Sequence, residues 1–323
     1  MKAIQVEDGK LVWTDAEAGA VGVGEVRIRV AATAVNRADL VQRTGGYPPP
    51  PGASPILGLE CSGDVLEVGE GVSRVSVGDA VCALLAGGGY AEEVIVPAGQ
   101  VLPIPAGLSM TEAAALPEVF ATAYLNLFME ANTSLGETVL LHAGASGVGT
   151  AAIQLCKQRG NPCFVTAGNP EKIERCLALG AEGGWNRHDG DFVEPVKAWA
   201  PTGVDVILDP VGAGYLADNL AVLGLDGRLV IIGLMGGAEA SVNLGLMMVK
   251  RQRIIGSTLR ARSVAAKATV MDALHAEVWP HIESGAIRPI VEAIIPIEEA
   301  ERAHALVAAD QTFGKVVMAV GGG

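Results

Sequence analysis

A short apolar run, a glycine-rich turn and a helical pattern follow one another between residues 139 and 160, and this order constrains the fold most. Val139–Leu141 has no polar face, which is typical of a strand buried on both sides. The turn Gly144-x-x-Gly147-x-Gly149 follows, and the helical pattern ends at Gly160. Glycines at such a turn let the backbone approach a phosphate, and the helix N-terminus attracts an anion. We therefore predict a dinucleotide-binding strand–turn–helix; because the spacing differs from G-x-G-x-x-G, a purely structural turn is the alternative.

Strands and helices continue to alternate after this turn. Asn169-Pro170 has the form of a helix start, with an N-cap followed by proline, and Gly180 is the expected end of that helix. Further strands of the buried type are predicted at Cys163–Thr166, Val204–Leu208 and Arg228–Ile232. Strands that alternate with helices need crossover connections, which predicts a parallel sheet.

The chain on either side of this region has a different pattern. Ser109–Glu112 has the form of a capping box, and the Ala-rich helical pattern that follows is interrupted by Pro117. Upstream, short strands are predicted at Glu25–Val30, Gly63–Val68 and Tyr90–Val96. Downstream, the pattern predicts a helix over Val264–Ser284, a strand over Val291–Ile295, a helix over Glu298–Ala308 and a strand over Lys315–Val320. We expect an α/β fold in which residues 122–258 are inserted into a β-rich domain formed by residues 1–121 and 259–323.

The end of the second strand bears on which dinucleotide would bind. An acidic side chain there would accept the ribose 2′-hydroxyl of NAD. The strand instead ends Thr166-Ala167-Gly168-Asn169, and Lys172 and Arg187 follow. A 2′-phosphate could bind the N–H groups of the next helix and these cations, so the sequence favours NADPH. The alternative is that Lys172 and Arg187 are only solvated surface charges.

Composition excludes several classes of function. The 323 residues carry a net charge of -13, which argues against nucleic acid and against an anionic membrane surface. Five cysteines without repeated spacing do not form a disulfide framework, and with the missing N-terminal apolar segment they point to the cytoplasm. The cysteines and the five histidines show no zinc-type spacing, so we expect no metal.

Several segments together resemble the zinc-free medium-chain dehydrogenase/reductases of the zeta-crystallin type, closest to the apoptosis-associated quinone oxidoreductase branch. The resemblance covers essentially the whole chain and rests on Val35–Asp39, Tyr47–Gly52, Leu57–Glu60, Ala143–Leu155, Val165–Gly168 and Gly233–Gly237. It implies a GroES-like β-rich catalytic domain, a Rossmann-type doubly wound parallel sheet, and NADPH as the cofactor. Zinc-dependent relatives carry Cys at or near Asn36 and His at Leu59, and this chain has neither ligand.

The resemblance also implies roles for individual residues. Ser146, Gly147 and Val148 would hold the pyrophosphate, and Gly168 with Lys172 would hold the 2′-phosphate. Asn36 and Thr122 would lie near the nicotinamide and its ribose, and the nicotinamide end would be closed over by the backbone of Leu234, Met235, Leu259 and Arg260. At Arg187 this chain departs from its relatives, which carry a tyrosine near the adenine. Tyr47 and Ser146 are the candidate catalytic residues.

The implied activity is quinone reduction by NADPH without a metal. Tyr47, on a proline-stiffened loop, is either a hydrogen-bond donor to the quinone oxygen or a lid over the ring. Two rivals remain: a zinc-free 2-enoyl thioester reductase, for which Arg37 and Arg43 leave a phosphate site open, and a non-enzymatic, NADPH-binding, crystallin-like protein. The resemblance implies a homodimer, for which Arg253–Thr258 is a candidate edge strand.

Overall fold

A computed structural model describes residues 1–321, which contain fifteen strands and eleven α-helices. The strands are β1 (Lys2–Glu7), β2 (Lys10–Asp15), β3 (Glu25–Ala34), β4 (Glu60–Val68), β5 (Ala80–Leu84), β6 (Glu93–Pro97), β7 (Val101–Pro103), β8 (Val139–Leu141), β9 (Cys163–Ala167), β10 (Gly183–Asn186), β11 (Val204–Asp209), β12 (Leu223–Ile231), β13 (Arg253–Gly256), β14 (Val291–Pro296) and β15 (Lys315–Ala319). The helices are α1 (Arg37–Arg43), α2 (Met110–Ala113), α3 (Pro117–Tyr124), α4 (Gly147–Arg159), α5 (Pro170–Leu179), α6 (Val193–Trp199), α7 (Leu216–Val222), α8 (Leu244–Val249), α9 (Val264–Glu277), α10 (Trp279–Glu283) and α11 (Ala300–Ala308).

The described chain divides into two compact units. The cofactor-type unit runs from Thr122 to Thr258, and the β-rich unit combines Met1–Ala121 with the chain from Leu259 onward. Gly322 and Gly323, the end of the predicted return segment, lie outside the described residues.

The cofactor-type unit is built on six parallel strands in the order β10-β9-β8-β11-β12-β13. Counted along the unit, this is the order 3-2-1-4-5-6 of a Rossmann-type sheet, which confirms the predicted fold class. The strand order reverses between β8 and β11, and ligands of such sheets bind outside the carboxyl ends of the strands at this reversal. The apolar run predicted at residues 139–141 is the buried strand β8.

The β-rich unit holds a second sheet in the order β14-β15-β3-β4-β5-β7, with β6 paired to β3. The alternation predicted for residues 25–30 belongs to β3, whose Val26, Ile28 and Val30 point into the core. The C-terminal strand β15 pairs antiparallel with β3, so the two separate parts of the chain share one sheet. Burial of apolar side chains from both parts in one core is what holds the return segment to the first 121 residues.

Three local features differ from the sequence-based expectations. The helix predicted over Val264–Ser284 is two helices, α9 and α10, because Pro280 cannot donate a hydrogen bond within a continuous helix. The strand predicted from Tyr90 begins only at Glu93, since Ala91 forms only an isolated bridge with Ala3. The hairpin β1–β2 was not predicted, although Asp8-Gly9 is a two-residue hairpin turn with both residues at positive φ.

Several residues that the sequence predicts to start or end helices do so in the structure. Ser109 caps α2 by accepting from the Glu112 N–H, and the Glu112 carboxylate accepts from the Ser109 N–H. Gly160 ends α4 with a φ of 69°. After α3 the helical pattern continues to Glu130 as a π-helix rather than an α-helix. Among residues 1–321, no helix combines the length and the apolarity needed to cross a membrane.

Candidate cofactor and acceptor site

The glycine-rich turn places the N-terminus of α4 at the carboxyl end of β8. Ser146 is the N-cap of this 13-residue helix, and its hydroxyl oxygen accepts from the Gly149 N–H at 3.0 Å. Ser146 is exposed and Gly147 and Val148 are half-buried, so the first turn of the helix faces outward. Free N–H groups and the positive end of the helix dipole at this position suit a pyrophosphate.

Two of the glycines are required for the turn to fit. A Cβ on Gly149 would lie 2.4 Å from the carbonyl oxygen of Ala143 and 2.5 Å from that of Gly144. A Cβ on Gly144 would lie 2.7 Å from Cβ of Val165 on the neighbouring strand. Ala143 itself has a φ of 54°, which disfavours a residue with a side chain. The turn therefore lies close to the sheet, and this close approach requires a strained backbone at Ala143 and leaves no room for a side chain at Gly144 or Gly149.

A buried polar network lies beneath the turn. His142 contacts Thr166 Oγ1 through Nδ1 at 3.0 Å and Asn219 Oδ1 through Nε2 at 2.7 Å. Asn219 Nδ2 donates to Asp209, so Asn219 Oδ1 must accept and His142 carries its proton on Nε2. Burial lowers the pKa of His142 to about 4. The imidazole is therefore neutral at pH 7, and it ties the turn to β9 and α7 without charge.

A second helix N-terminus lies where β9 ends. The guanidinium of Arg187 lies against Gly168, with Nη2 3.6 Å from the position that a Cβ on Gly168 would take. Here α5 begins: Asn169 is the N-cap and accepts from the Lys172 N–H at 2.8 Å. The structure thus brings Gly168, Lys172 and Arg187 together at one helix N-terminus. A phosphate would meet an Arg fork, free N–H groups and a helix dipole at this position.

The other cofactor-contacting residues predicted in this unit lie in two separate segments, the loop after β12 and helix α3. Leu234 and Met235 are exposed on the loop that follows β12, at the carboxyl edge of the sheet. Met235 N donates to Pro210 O, which follows β11, at 3.3 Å. Thr122 lies in α3, and its carbonyl accepts from Asn126 Nδ2 at 2.7 Å.

In the β-rich unit, the Asn36 carboxamide is held on both sides by a buried ion pair. Lys315 Nζ donates to Asn36 Oδ1 and lies 2.7 Å from Glu60 Oε1. Asn36 Nδ2 donates to Glu60 Oε1 at 3.0 Å and to Ala34 O at 3.3 Å. Both amide protons are therefore used within the protein, and only a lone pair on Oδ1 remains for a ligand. Sequence analysis missed the roles of Glu60 and Lys315. The signal that could have indicated them is that each is a single charged residue next to a run of apolar residues.

A second buried network fixes the backbone of the same helix start. Asp39 accepts from the Asn36 N–H at 2.8 Å and from the Gly58 N–H at 3.1 Å. Tyr90 donates to Asp39 and contacts His304 Nε2 at 3.1 Å. Burial raises the pKa of Asp39 to about 6 and lowers that of His304 to about 4. Asp39, Tyr90 and His304 thus hold α1 and the Gly58 segment together rather than meeting a ligand.

Tyr47 lies beside the buried cation Arg260. The guanidinium of Arg260 is 5.2 Å from the centroid of the Tyr47 ring, and its Nη1 donates to the Tyr47 carbonyl at 3.2 Å. Lys267, on α9, donates from Nζ to the Arg260 carbonyl at 3.3 Å. Burial, and then the nearby Glu118 carboxylate, raise the pKa of the half-buried Tyr47 phenol, while Arg260 opposes the shift. Tyr47 is therefore a protonated phenol at neutral pH.

The positions that could supply metal ligands hold either an apolar side chain or a buried thiol that is not grouped with further ligands. Leu59, at the position of a ligand in zinc-dependent relatives, is buried. Cys61 and Cys82 are buried free thiols whose pKa is raised by burial. Within the part of the chain that the structure describes, no group of three or more His, Cys, Asp and Glu side chains could hold a metal ion.

The two arginines that had left a thioester phosphate site open are already engaged. Arg37 forms an ion pair with Asp310. Arg43 pairs with Glu301 and donates to the Gly9 carbonyl. Neither side chain is offered to a carrier phosphate in this arrangement.

Two family models match most of this architecture. The model described as "Alcohol dehydrogenase GroES-like domain" matches residues 22–106, and the one described as "Zinc-binding dehydrogenase" matches residues 147–275. Quinone oxidoreductase of Rattus norvegicus is 31% identical over 297 residues, which cover 91% of this chain and 88% of the relative. The chain belongs to the medium-chain dehydrogenase/reductase superfamily. The synaptic vesicle membrane protein VAT-1 homolog of Rattus norvegicus is also 31% identical, over 94% of this chain and 78% of that protein.

Solved structures of this superfamily share the whole fold. Escherichia coli quinone oxidoreductase complexed with NADPH superposes with a TM-score of 0.87 at 28% identity, covering 98% of both chains. The apo form of the JamJ enoyl reductase superposes with a TM-score of 0.88 at 25% identity, covering 99% of both chains. The superfamily, the GroES-like domain and the Rossmann-type sheet predicted from the sequence are thereby confirmed. The chain is similar both to a quinone oxidoreductase and to an enoyl reductase, so fold alone does not choose the acceptor.

Proposed function

We propose that this chain is an NADPH-dependent quinone oxidoreductase. The single observation that carries the cofactor assignment is the position of the Arg187 guanidinium against Gly168 at the start of α5. An anion there would interact favourably with the guanidinium and with the N-terminus of the helix. The end of the strand, in contrast, has no acidic residue that could accept a hydrogen bond from a free 2′-hydroxyl. Escherichia coli quinone oxidoreductase, which shares this fold, is solved with NADPH bound.

Residues of the cofactor-type unit fit the rest of the dinucleotide. The start of α4, with Ser146, Gly147 and Val148, would hold the pyrophosphate through backbone N–H groups. Leu234 and Met235 would lie at the nicotinamide end, because they follow β12 at the carboxyl edge of the sheet. When bound, NADPH supplies the hydride for the reaction.

The β-rich unit supplies groups for the acceptor. Hydride addition would give one quinone oxygen a negative charge, and a proton from solvent would complete the hydroquinone, with NADP⁺ as the other product. Tyr47 remains a protonated phenol, so it can donate a hydrogen bond to that oxygen as charge develops. Asn36 would not serve that oxygen, because Lys315 and Glu60 fix its amide so that only a carbonyl lone pair remains, which suits a hydrogen-bond donor such as the nicotinamide end.

The deciding experiment is NADPH oxidation measured with ortho- and para-quinones and repeated with NADH. We expect turnover with at least one quinone and a clear preference for NADPH. A Tyr47→Phe variant with unchanged turnover would assign Tyr47 to a lid role, whereas a loss in kcat with unchanged quinone KM would assign the donor role. Equal efficiency with NADH would overturn the 2′-phosphate site.

A 2-enoyl thioester reductase is the second candidate, favoured by the similarity to the JamJ enoyl reductase. The engagement of Arg37 and Arg43 with Asp310 and Glu301 speaks against a carrier phosphate site on that face. Enoyl-CoA therefore belongs in the same acceptor panel. No oxidation of NADPH with any acceptor, together with tight NADPH binding, would favour a non-enzymatic role.

We also propose that two copies associate through the cofactor-type units. The supporting observation is that β13 is an edge strand of the sheet, and the neighbouring α8 exposes Leu244, Met248 and Val249. An unpaired strand edge beside exposed apolar side chains is a template for pairing with a second copy.

A further inference from the structure

The loop that carries Tyr47 is hydrogen-bonded to neighbouring segments near its two ends, by Gly46 N to Val41 O and by Gly88 N to Ile56 O. Residues 44–59 contain neither helix nor strand, and four consecutive prolines follow Tyr47 without a backbone N–H to donate. Such a loop is stiff along its own length, but its orientation relative to the sheet must be set by groups outside it. The carbonyl of Tyr47 accepts its hydrogen bond from Arg260, which lies more than 200 residues away in the chain.

Arg260 makes two contacts to this loop and one to the segment that follows β5. Nη1 donates to the Tyr47 carbonyl at 3.2 Å, Nε donates to the Ala86 carbonyl at 2.8 Å, and the guanidinium faces the Tyr47 ring at 5.2 Å. The planar fork of arginine allows all three contacts at once, and a lysine ammonium has no equivalent geometry. The Ala86 carbonyl follows β5, so Arg260 ties the loop to the sheet.

The burial of Arg260 argues against a merely incidental role. The residue is 3% exposed, and its Nη2 has no hydrogen-bond partner in the described chain. A buried cation with an unmet donor is costly, and an apolar side chain of similar length would fill the space with less penalty. A second cation, Lys267, is buried and donates to the Arg260 carbonyl. The carboxylate of Glu118 interacts electrostatically with Tyr47, Arg260 and Lys267, and that of Asp39 interacts with Arg260 as well.

We propose that Arg260 is a positioning residue for the acceptor, which acts by holding the Tyr47 ring and loop in the orientation that binds a quinone. The proposal rests on the function proposed above and deepens it. Its effect is specific to the acceptor, because the contacts described run to Tyr47 and Ala86 rather than to the phosphate-binding turns. The fixed positive charge beside the ring also favours an acceptor oxygen that becomes negative during reduction.

The test compares Arg260→Met, Arg260→Lys and Arg260→Ala by steady-state kinetics with a quinone and by direct NADPH titration. We expect Arg260→Met to raise the quinone KM about tenfold with less than a twofold change in NADPH affinity. Arg260→Lys should recover little of the loss. Added guanidinium at millimolar concentration should restore part of the quinone affinity of Arg260→Ala, which a general folding defect would not allow.

A double-mutant cycle with Tyr47→Ala separates positioning through Tyr47 from other roles. In the Tyr47→Ala background, Arg260→Met should change the quinone KM by less than twofold. Arg302→Met is the matched control, because Arg302 is an exposed cation of the same unit that pairs with Glu299; it should leave both constants unchanged.

The outcomes distinguish the two proposals. An inactive wild-type protein would overturn the proposed function. An active wild-type protein whose quinone KM is unaffected by Arg260→Met, or affected equally with and without Tyr47, would overturn the role of Arg260 alone. Thermal unfolding of each variant identifies any that fails to fold. If Arg260→Met fails to fold, the rescue of quinone affinity in Arg260→Ala by added guanidinium tests the role of Arg260 instead.

Discussion

Replacement of Arg187 tests the cofactor assignment at its most specific contact. The guanidinium lies against Gly168 at the N-terminus of α5, where a 2′-phosphate would sit. A charge-assisted hydrogen bond contributes about 1.5–3 kcal/mol. Because Arg187 is exposed, we take the lower end, and about 1.5 kcal/mol corresponds to about a tenfold loss of affinity. Arg187→Ala should therefore weaken NADPH binding about tenfold while leaving NADH binding unchanged.

The assay is titration of both cofactors against each protein by nicotinamide fluorescence, at two salt concentrations. The difference between wild type and variant should shrink at high salt, since an exposed ion pair is screened. Arg251→Ala is the control, because Arg251 is an exposed cation of the same unit that pairs with Asp226. NADPH affinity that stays within twofold of wild type, or an equal loss for NADH, would refute the assignment of the 2′-phosphate to this position.

Three further predictions concern other parts of the cofactor-type unit. Gly149→Ala forces a Cβ to within 2.4 Å of the Ala143 carbonyl, so we expect a loss of about 1–3 kcal/mol in unfolding free energy and at least tenfold weaker NADPH binding. Since the pKa of His142 is lowered to about 4, its unfolded form takes up a proton first as the pH falls, and at pH 5 this removes about 2 kcal/mol of the stability present at pH 7.5. His142→Gln should reduce the pH dependence in denaturant melts by this amount, while the contribution of His304, whose pKa is also lowered to about 4, remains. Leu244→Asp combined with Met248→Asp should convert a dimer to a monomer in light scattering, and a wild-type monomer would contradict the proposed association.

The site was predictable to the extent that it depends on local backbone geometry. A glycine-rich turn between a strand and a helix places N–H groups by itself, and the caps Ser146 and Asn169 form within three residues of the helices they start. The same reasoning gave the ends of α4 and α5. It failed for the helix over residues 264–284, where Pro280 was not weighed against the helical period, and for the Asp8-Gly9 hairpin, whose turn signal was overlooked.

The groups that orient Asn36 and Tyr47 could not be found in this way. Lys315 reaches Asn36 across 279 residues, and Arg260 reaches the Tyr47 carbonyl across 213. Nothing in the local sequence specifies such partners, because a buried charge is tolerated only where the fold supplies its counter-charge or acceptor. Arg37 and Arg43 illustrate the converse: they looked available in the sequence, and their ion pairs with Asp310 and Glu301 exist only in the folded unit.

The sequence by itself determined the class of the fold and the two helix N-termini at which we propose that phosphates bind, because apolar periodicity, glycine spacing and helix caps act over distances of a few residues. Only the tertiary structure decided the environment of the acceptor residues. The return of the last part of the chain to the first sheet brings Arg260 and Lys315 beside Tyr47 and Asn36. Burial then shifts the pKa of Tyr47 and holds the Asn36 amide in one orientation, and both effects depend on contacts between segments that are far apart in the sequence.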